Sequence, residues 1–208
     1  FAGYEIDFDF NLFFHEVFHQ KNGFDIVLGN PPYVGQKGNL ELFAKMKHDS
    51  NFEKKMDYWY FFLYKAQKIS ANKRIISYIT PNYWITARGA RILRRKIIEE
   101  LRFLEWVNFN DNNVFEAGIH TNLFFLKNEQ SKNSHIKCTV YTEKLKSDII
   151  ERKLNQNNFQ VSQEIIFSKW TNYVHFLPQD VLNIINGVCL NSEKLSDNET
   201  KGTIKKGT

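Results

Sequence analysis

Between Phe24 and Leu28 the chain reads F-D-I-V-L, and the next four residues are Gly29, Asn30, Pro31 and Pro32. A short apolar run bounded by breakers is the signature of a buried strand. Proline has no backbone N–H and locks φ, so two in succession end sheet pairing. The strand must stop at about Leu28 and hand the chain to a rigid, irregular loop. Half of the chain's four prolines stand at this one junction.

Further strands and helices come after it in alternation. Leu40 to His48 reads as a short helix. Asp57 to Ser70 reads as a longer one, because Tyr58, Phe61, Phe62, Tyr64, Ala66 and Ile69 give it a broad apolar face. Arg74 to Thr80 is β-rich and closed by Pro81, so it is a second buried strand. Arg88 to Leu101 is a basic helix. Phe103 to Phe109 and Thr121 to Leu126 are further strands, and Ile136 to Tyr141 is an edge strand. The alternation predicts a three-layer α/β domain with a mixed, mostly parallel sheet and flanking helices. After Lys127 the texture becomes polar and turn-rich, and from Lys144 the apolar runs shorten. A boundary is expected there, with residues 1–143 as one unit and 144–208 as a connector leading to another domain.

Composition narrows the class. No segment approaches the roughly 20 apolar residues that span a bilayer, and the first residues show no signal-peptide pattern, with acids at Glu5, Asp7 and Asp9 where a basic region would sit. Two cysteines, neither in a C-x-x-C, fit a reducing cytoplasm. A net charge of +5 with 15% aromatic residues suits a nucleic-acid partner, through phosphate neutralisation and base stacking. Arg88, Arg91, Arg94, Arg95 and Lys96 could touch phosphates, but a solvated outer helix face explains them more simply.

Two catalytic spellings compete within Phe13 to Val34. His15-Glu16-Val17-Phe18-His19 is H-E-x-x-H, the zinc-hydrolase pattern. It needs a helix and a third ligand. Glu41 is the available candidate, but a strand, two glycines and two prolines lie between. Three fixed residues occur by chance in a chain this long about once in a hundred. Asn30-Pro31-Pro32-Tyr33 fixes four residues, and chance supplies that about once in a thousand. It also falls just past the carboxyl end of a strand, where open α/β sheets bind ligands. The metal reading is therefore set aside, and no metal is expected.

The N-P-P-Y chemistry is specific. An exocyclic amino group on a base is a poor nucleophile, because its lone pair is delocalised into the ring. Two acceptors placed on its two protons pull the nitrogen toward tetrahedral geometry and free that lone pair. Asn30 offers a side-chain carbonyl, and Pro31 a backbone carbonyl held by the adjacent Pro32 ring. Tyr33 offers a flat face for stacking. A base within a duplex cannot reach such a loop and must be flipped out.

The stretch G-F-D-I-V-L-G-N-P-P-Y-V resembles motif IV of the S-adenosylmethionine-dependent, adenine-specific DNA methyltransferases. The nearest likeness is to the TaqI-like and type IIG restriction–modification enzymes. The segments from Met56 to Ser70, from Arg74 to Ile97 and from Phe103 to Lys127 resemble the family's helices and strands downstream of that motif, so the likeness covers about residues 13 to 127. It implies the C-terminal half of a Rossmann-like methyltransferase fold. It implies that Asn30 and Pro31 accept the target amino protons and that Tyr33 stacks on a flipped adenine. Phe115, in N-V-F-E-A-G, matches a second aromatic against the base, with Phe109 as the alternative. Asn rather than Ser at the first position favours adenine over cytosine.

The resemblance further implies S-adenosylmethionine as cofactor, double-stranded DNA as partner and a bacterial or archaeal cytoplasm as location. The family's Gly-rich cofactor loop precedes motif IV, and no G-x-G occurs in this sequence. The cofactor-binding residues are expected upstream of this chain, and residues 144–208 are expected to begin a target-recognition domain. The chain is thus read as a piece of a longer enzyme, with or without a fused endonuclease, and inactive alone. Two alternatives stay open. One is methylation of RNA or of a protein glutamine, which use the same motif. The other is an inactive module that only binds DNA.

Overall fold

The predicted first strand forms as β1 (Phe24–Gly29). The computed structural model describes residues 8–112, 114–115, 118–130, 133–141, 156–167 and 172–191. Two short helices, α1 (Phe10–Phe13) and α2 (His15–Lys21), precede β1. The turn between α2 and β1 uses Asn22 at φ 58° and Gly23 at φ 134°. A Cβ on Gly23 would stand 2.5 Å from the Ile69 carbonyl oxygen, so only glycine allows both the turn and the close pass.

Beyond β1 come α3 (Leu40–Ala44), α4 (Trp59–Ile69) and β2 (Ser70–Pro81). Two 3₁₀ turns, Asn82–Ile85 and Arg88–Ala90, lead into α5 (Arg91–Glu100). Next are β3 (Arg102–Asn108), β4 (Thr121–Lys127), β5 (His135–Tyr141) and β6 (Gln156–Ser162), and then α6 (Gln179–Asn191).

The six strands form one sheet in the order β1-β2-β4-β3-β5-β6. The β1–β2 and β3–β5 pairings are parallel, and the other three are antiparallel. Since β4 runs against both of its neighbours, β1, β2, β3 and β5 all point one way, and the mixed sheet is mostly parallel in that sense. Insertion of β4 between β2 and β3 brings its first residues, Thr121 and Asn122, beside Pro81 and Thr80 at the end of β2. The loop from β3 to β4 therefore opens at the same edge as the loop after β1.

One sheet face is sealed by α4 and α5. Trp59, Leu63, Leu93 and Ile97 join Ile76, Phe103, Phe124 and Leu126 in a single core. β1 departs from the expected fully buried strand. Val27 packs on the core, but Ile26 and Leu28 are 60% and 70% exposed. Side chains alternate along a strand, so Ile26 and Leu28 point to the sheet face opposite Val27, and that face of β1 is open among the described residues.

The basic helix differs from expectation at one residue. Arg94 is not on a solvated face but is 1% exposed. Its guanidinium donates to the carbonyls of Trp84, Ala87 and Asn172 at 2.6, 2.7 and 2.5 Å. Arg91 and Lys96 do stand at the surface, paired with Glu53 and Glu100.

The stretch after Lys144 holds structure that its polar composition conceals. β6 pairs with β5 along its whole length. Gln163, 3% exposed, accepts from the Phe103 N–H and the Ser134 hydroxyl and donates to the Ile98 and Leu101 carbonyls. Val161, Ile166, Val174, Phe176 and Leu182 belong to the main core. The expected boundary at residues 143 and 144 lies outside the described residues. No helix among the described residues is long and apolar enough to cross a membrane.

Candidate active site

Gly29 closes β1 because nothing larger fits: a Cβ there would lie 2.7 Å from the Tyr78 ring. The next four residues, Asn30 to Tyr33, leave the sheet edge as irregular backbone. The Asn30 and Pro32 side chains are exposed, Pro31 is buried and Tyr33 is half-buried. Prolines 31 and 32 have no N–H to give, so the loop must be fixed by other groups. The Tyr33 hydroxyl lies 2.8 Å from Asn30 Oδ1 and 3.0 Å from the Ile79 carbonyl of β2. Burial, helped by the negative charge of Asp57, pushes that hydroxyl up to about 12. It therefore remains a hydrogen-bond donor at physiological pH.

The downstream end of the loop is stapled to the start of α4. The Tyr58 N–H donates to the Val34 carbonyl at 2.8 Å, and the Gln36 N–H to the Met56 carbonyl at 3.0 Å. The Val34 N–H donates to Asp57 Oδ1 at 3.1 Å. The Asp57 carboxylate, 4% exposed, also accepts from the Trp59 N–H and from the Tyr83 hydroxyl. Burial and that bond to Asp57 push the Tyr83 hydroxyl far above the ordinary tyrosine value.

Phe115 reaches the site from the β3–β4 loop. Its ring stands edge-on to Tyr33, with centroids 6.5 Å apart and planes at 64°. Phe109, the alternative, is stacked on Tyr141 at 5.7 Å and is 7% exposed, so its ring is committed to packing beside β5. The loop that carries Phe115 is closed at its base. His120 Nδ1 lies 2.7 Å from the Asn110 carbonyl, and the Asn82 N–H donates to the His120 carbonyl at 2.9 Å. Beside the N-P-P-Y loop is a cavity of about 630 Å³, lined by Lys37, Lys55, Asp57, Tyr60 and Tyr83 among others.

The structure thus brings Asn30, Tyr33 and Phe115 into one cluster at the carboxyl end of the parallel strands. Asp57 and Tyr83 do not stand out in the sequence. Asp57 reads there as an ordinary acidic residue opening a helix, and Tyr83 as one more aromatic after a strand. In the competing H-E-x-x-H segment, α2 does form and stacks the His15 and His19 rings 5.5 Å apart. Among the described residues no three His, Cys, Asp or Glu side chains group as a metal site.

Comparison with known proteins agrees with this architecture. The family model for the Eco57I restriction-modification methylase matches residues 3–115, more than half of the chain. Type II methyltransferase M.HincII of Haemophilus influenzae is 30% identical over 121 residues, which is 55% of this chain and 24% of that protein. The Type II restriction enzyme and methyltransferase RM.Eco57I of Escherichia coli is 23% identical over 198 residues, or 82% of this chain and 19% of that protein. The chain therefore spans about a quarter or less of the length of these curated relatives. Among solved structures, one of a type I R-M system superposes with a TM-score of 0.53 at 17% identity, covering 81% of this chain and 42% of the other. A protein assigned as the modification subunit of a type I restriction enzyme from Vibrio vulnificus YJ016 gives 0.52 at 19% identity, covering 74% and 37%.

The mixed six-stranded sheet with flanking helices is the fold of the solved restriction–modification structures named above. More particularly, the chain belongs to the Eco57I restriction-modification methylase family.

Proposed function

We propose that this chain is the base-binding half of an enzyme that methylates the N6 amino group of adenine in double-stranded DNA. The observation that carries the reading is the cluster of Asn30, Tyr33 and Phe115 at the carboxyl end of β1. A flipped adenine would lay one face on Tyr33 and meet Phe115 at its side. Asn30 Oδ1 and the Pro31 carbonyl would hold the two amino hydrogens, which draws the nitrogen toward tetrahedral geometry and frees its lone pair from conjugation with the ring. Pro32 stiffens the backbone that presents the Pro31 carbonyl. Preorganised acceptors of this kind act without reorganising during the reaction.

S-adenosylmethionine would supply the electrophilic methyl group. No G-x-G, the mark of a Gly-rich loop for that cofactor, occurs in the sequence. We therefore assign this chain to the base and leave the cofactor to residues outside it. The exposed Ile26 and Leu28 on β1, with Leu12 and Phe13 also more than half exposed, support that division. An apolar face of this kind is seldom left open to water. The names of the relatives, methyltransferases and restriction enzymes, support DNA as the substrate.

The test is methyl transfer by the full-length protein. With labelled S-adenosylmethionine and duplex DNA, Asn30→Ala should lower turnover at least about a hundredfold, the usual cost of removing one preorganised polar group at the reacting centre. Turnover unchanged in Asn30→Ala would overturn the reading.

A further inference from the structure

We infer that Asp57 is the positioning residue of the Asn30–Tyr33 loop, and that Tyr83 holds Asp57 in place. This role rests on the base-binding reading and deepens it. The loop is short of anchors. Two of its residues are prolines, and the Tyr33 side chain, half-buried beside the core and Phe115, makes its hydrogen bonds only through the hydroxyl. The first backbone N–H past the prolines with a side-chain acceptor is that of Val34, and the acceptor is Asp57 Oδ1 at 3.1 Å. Val34 directly follows Tyr33, so this bond fixes the end of the peptide that carries both the stacking ring and the Pro31 carbonyl.

Asp57 also accepts from the Trp59 N–H at 3.3 Å, as a carboxylate opening a helix would. Capping does not explain the rest. The bond to Val34 crosses 23 positions of sequence and is the shorter of the two. The other carboxylate oxygen is taken by the hydroxyl of Tyr83, whose ring is 44% exposed and lines the cavity beside the loop. With three donors on one buried carboxylate, its rotamer is fixed from two sides. The segment behind it cannot drift either. Lys55 is held in a left-handed conformation, φ 67°, against Gly89, where a Cβ would stand 2.2 Å from the Lys55 carbonyl. Asp57 thus acts through the loop and does not touch the base.

The test uses the full-length enzyme, with turnover, KM for DNA and thermal midpoint measured for Asp57→Ala, Asp57→Asn and Tyr83→Phe. Asn keeps an oxygen for the Val34 and Trp59 N–H groups, so Asp57→Asn should stay within about threefold of wild type. Asp57→Ala should lose about tenfold or more in kcat with KM for DNA unchanged. Tyr83→Phe, which removes one hydroxyl and no packing, should lose several-fold in kcat while the enzyme stays fully folded at the assay temperature. If Asp57→Ala does not fold, Tyr83→Phe decides alone. The inference is overturned if kcat is unchanged in Asp57→Ala or Tyr83→Phe. It is also overturned if the loss follows the folded fraction, or if Asp57→Asn is as impaired as Asp57→Ala. A wild-type enzyme that methylates no adenine would instead strike the base-binding reading itself, so the two failures are distinct.

Discussion

The Tyr33 hydroxyl has one proton and two acceptors, Asn30 Oδ1 at 2.8 Å and the Ile79 carbonyl at 3.0 Å. When a base amino group donates to Asn30 Oδ1, the Tyr33 proton can settle on Ile79 without leaving the loop unanchored. Under the proposed function the tyrosine would serve twice, by its ring and by its hydroxyl. Tyr33→Phe should keep stacking and lose one hydrogen bond, lowering kcat/KM about five- to tenfold, as a bond worth about 1 kcal/mol predicts. Tyr33→Ala removes the stacking face as well and should lose far more. Equal losses in the two variants would show that the ring contributes nothing.

Alkaline pH provides a second test. Burial pushes the hydroxyls of Tyr33 and Tyr78 up to about 12, from an ordinary value of 10.0. A folded-state value raised above the unfolded one means the folded chain holds the proton more tightly. The stability this contributes is fully present below pH 10 and is lost as pH rises toward 12. Ultraviolet titration of tyrosinate should therefore leave several of the nine tyrosines protonated at pH 11 while the protein is still folded. Complete titration of a folded protein by pH 11 would refute it.

Gly89 is a packing constraint on the candidate site although it lies far along the chain. A Cβ there would meet the Lys55 carbonyl carbon and oxygen at 2.2 Å and the Met56 nitrogen at 2.5 Å. Since these are backbone atoms, no side chain can rotate away. Gly89→Ala should destabilise the fold by about 2 kcal/mol or more, within the range for overpacking. Urea unfolding measures this, and a change below about 0.5 kcal/mol would contradict the packing described.

Gln163 tests whether the chain beyond β5 belongs to the main core. Its amide makes four hydrogen bonds, to Phe103, Ser134, Ile98 and Leu101. Gln163→Leu keeps the volume and leaves those buried groups unpaired, so a loss of about 2 to 3 kcal/mol is expected in a single cooperative transition. A separate early transition for this segment would show that it folds on its own.

The loop is legible in the sequence because backbone chemistry leaves little choice. A strand that runs into glycine, asparagine and two prolines must stop, and β1 ends at Gly29. The α4 helix is legible from its apolar face. The start of β2 is hidden, since Ser70 to Lys73 are mostly polar and the register with β1 shifts there. Leu40 to His48 reads as helix throughout, yet the helix ends at Ala44 and gives way to turns. β6 is hidden because Gln156, Asn157 and Asn158 carry no apolar alternation. Arg94 cannot be told from its exposed neighbours, since burial among backbone carbonyls leaves no trace in a run of basic residues. Asp57 belongs to the same class. Its partners are Val34 and Tyr83, 23 positions before it and 26 after, and only folding brings them together.

Asn30, Pro31 and Tyr33 are proposed to present an adenine amino group for methylation. The most direct measurement is the identity of the product. Duplex DNA treated with the full-length protein and S-adenosylmethionine, then digested to nucleosides and resolved by mass spectrometry, should contain N6-methyladenine, and Asn30→Ala should form it at least about a hundredfold more slowly. Methyl groups found on cytosine, on RNA or on protein, and none on adenine, would contradict the account.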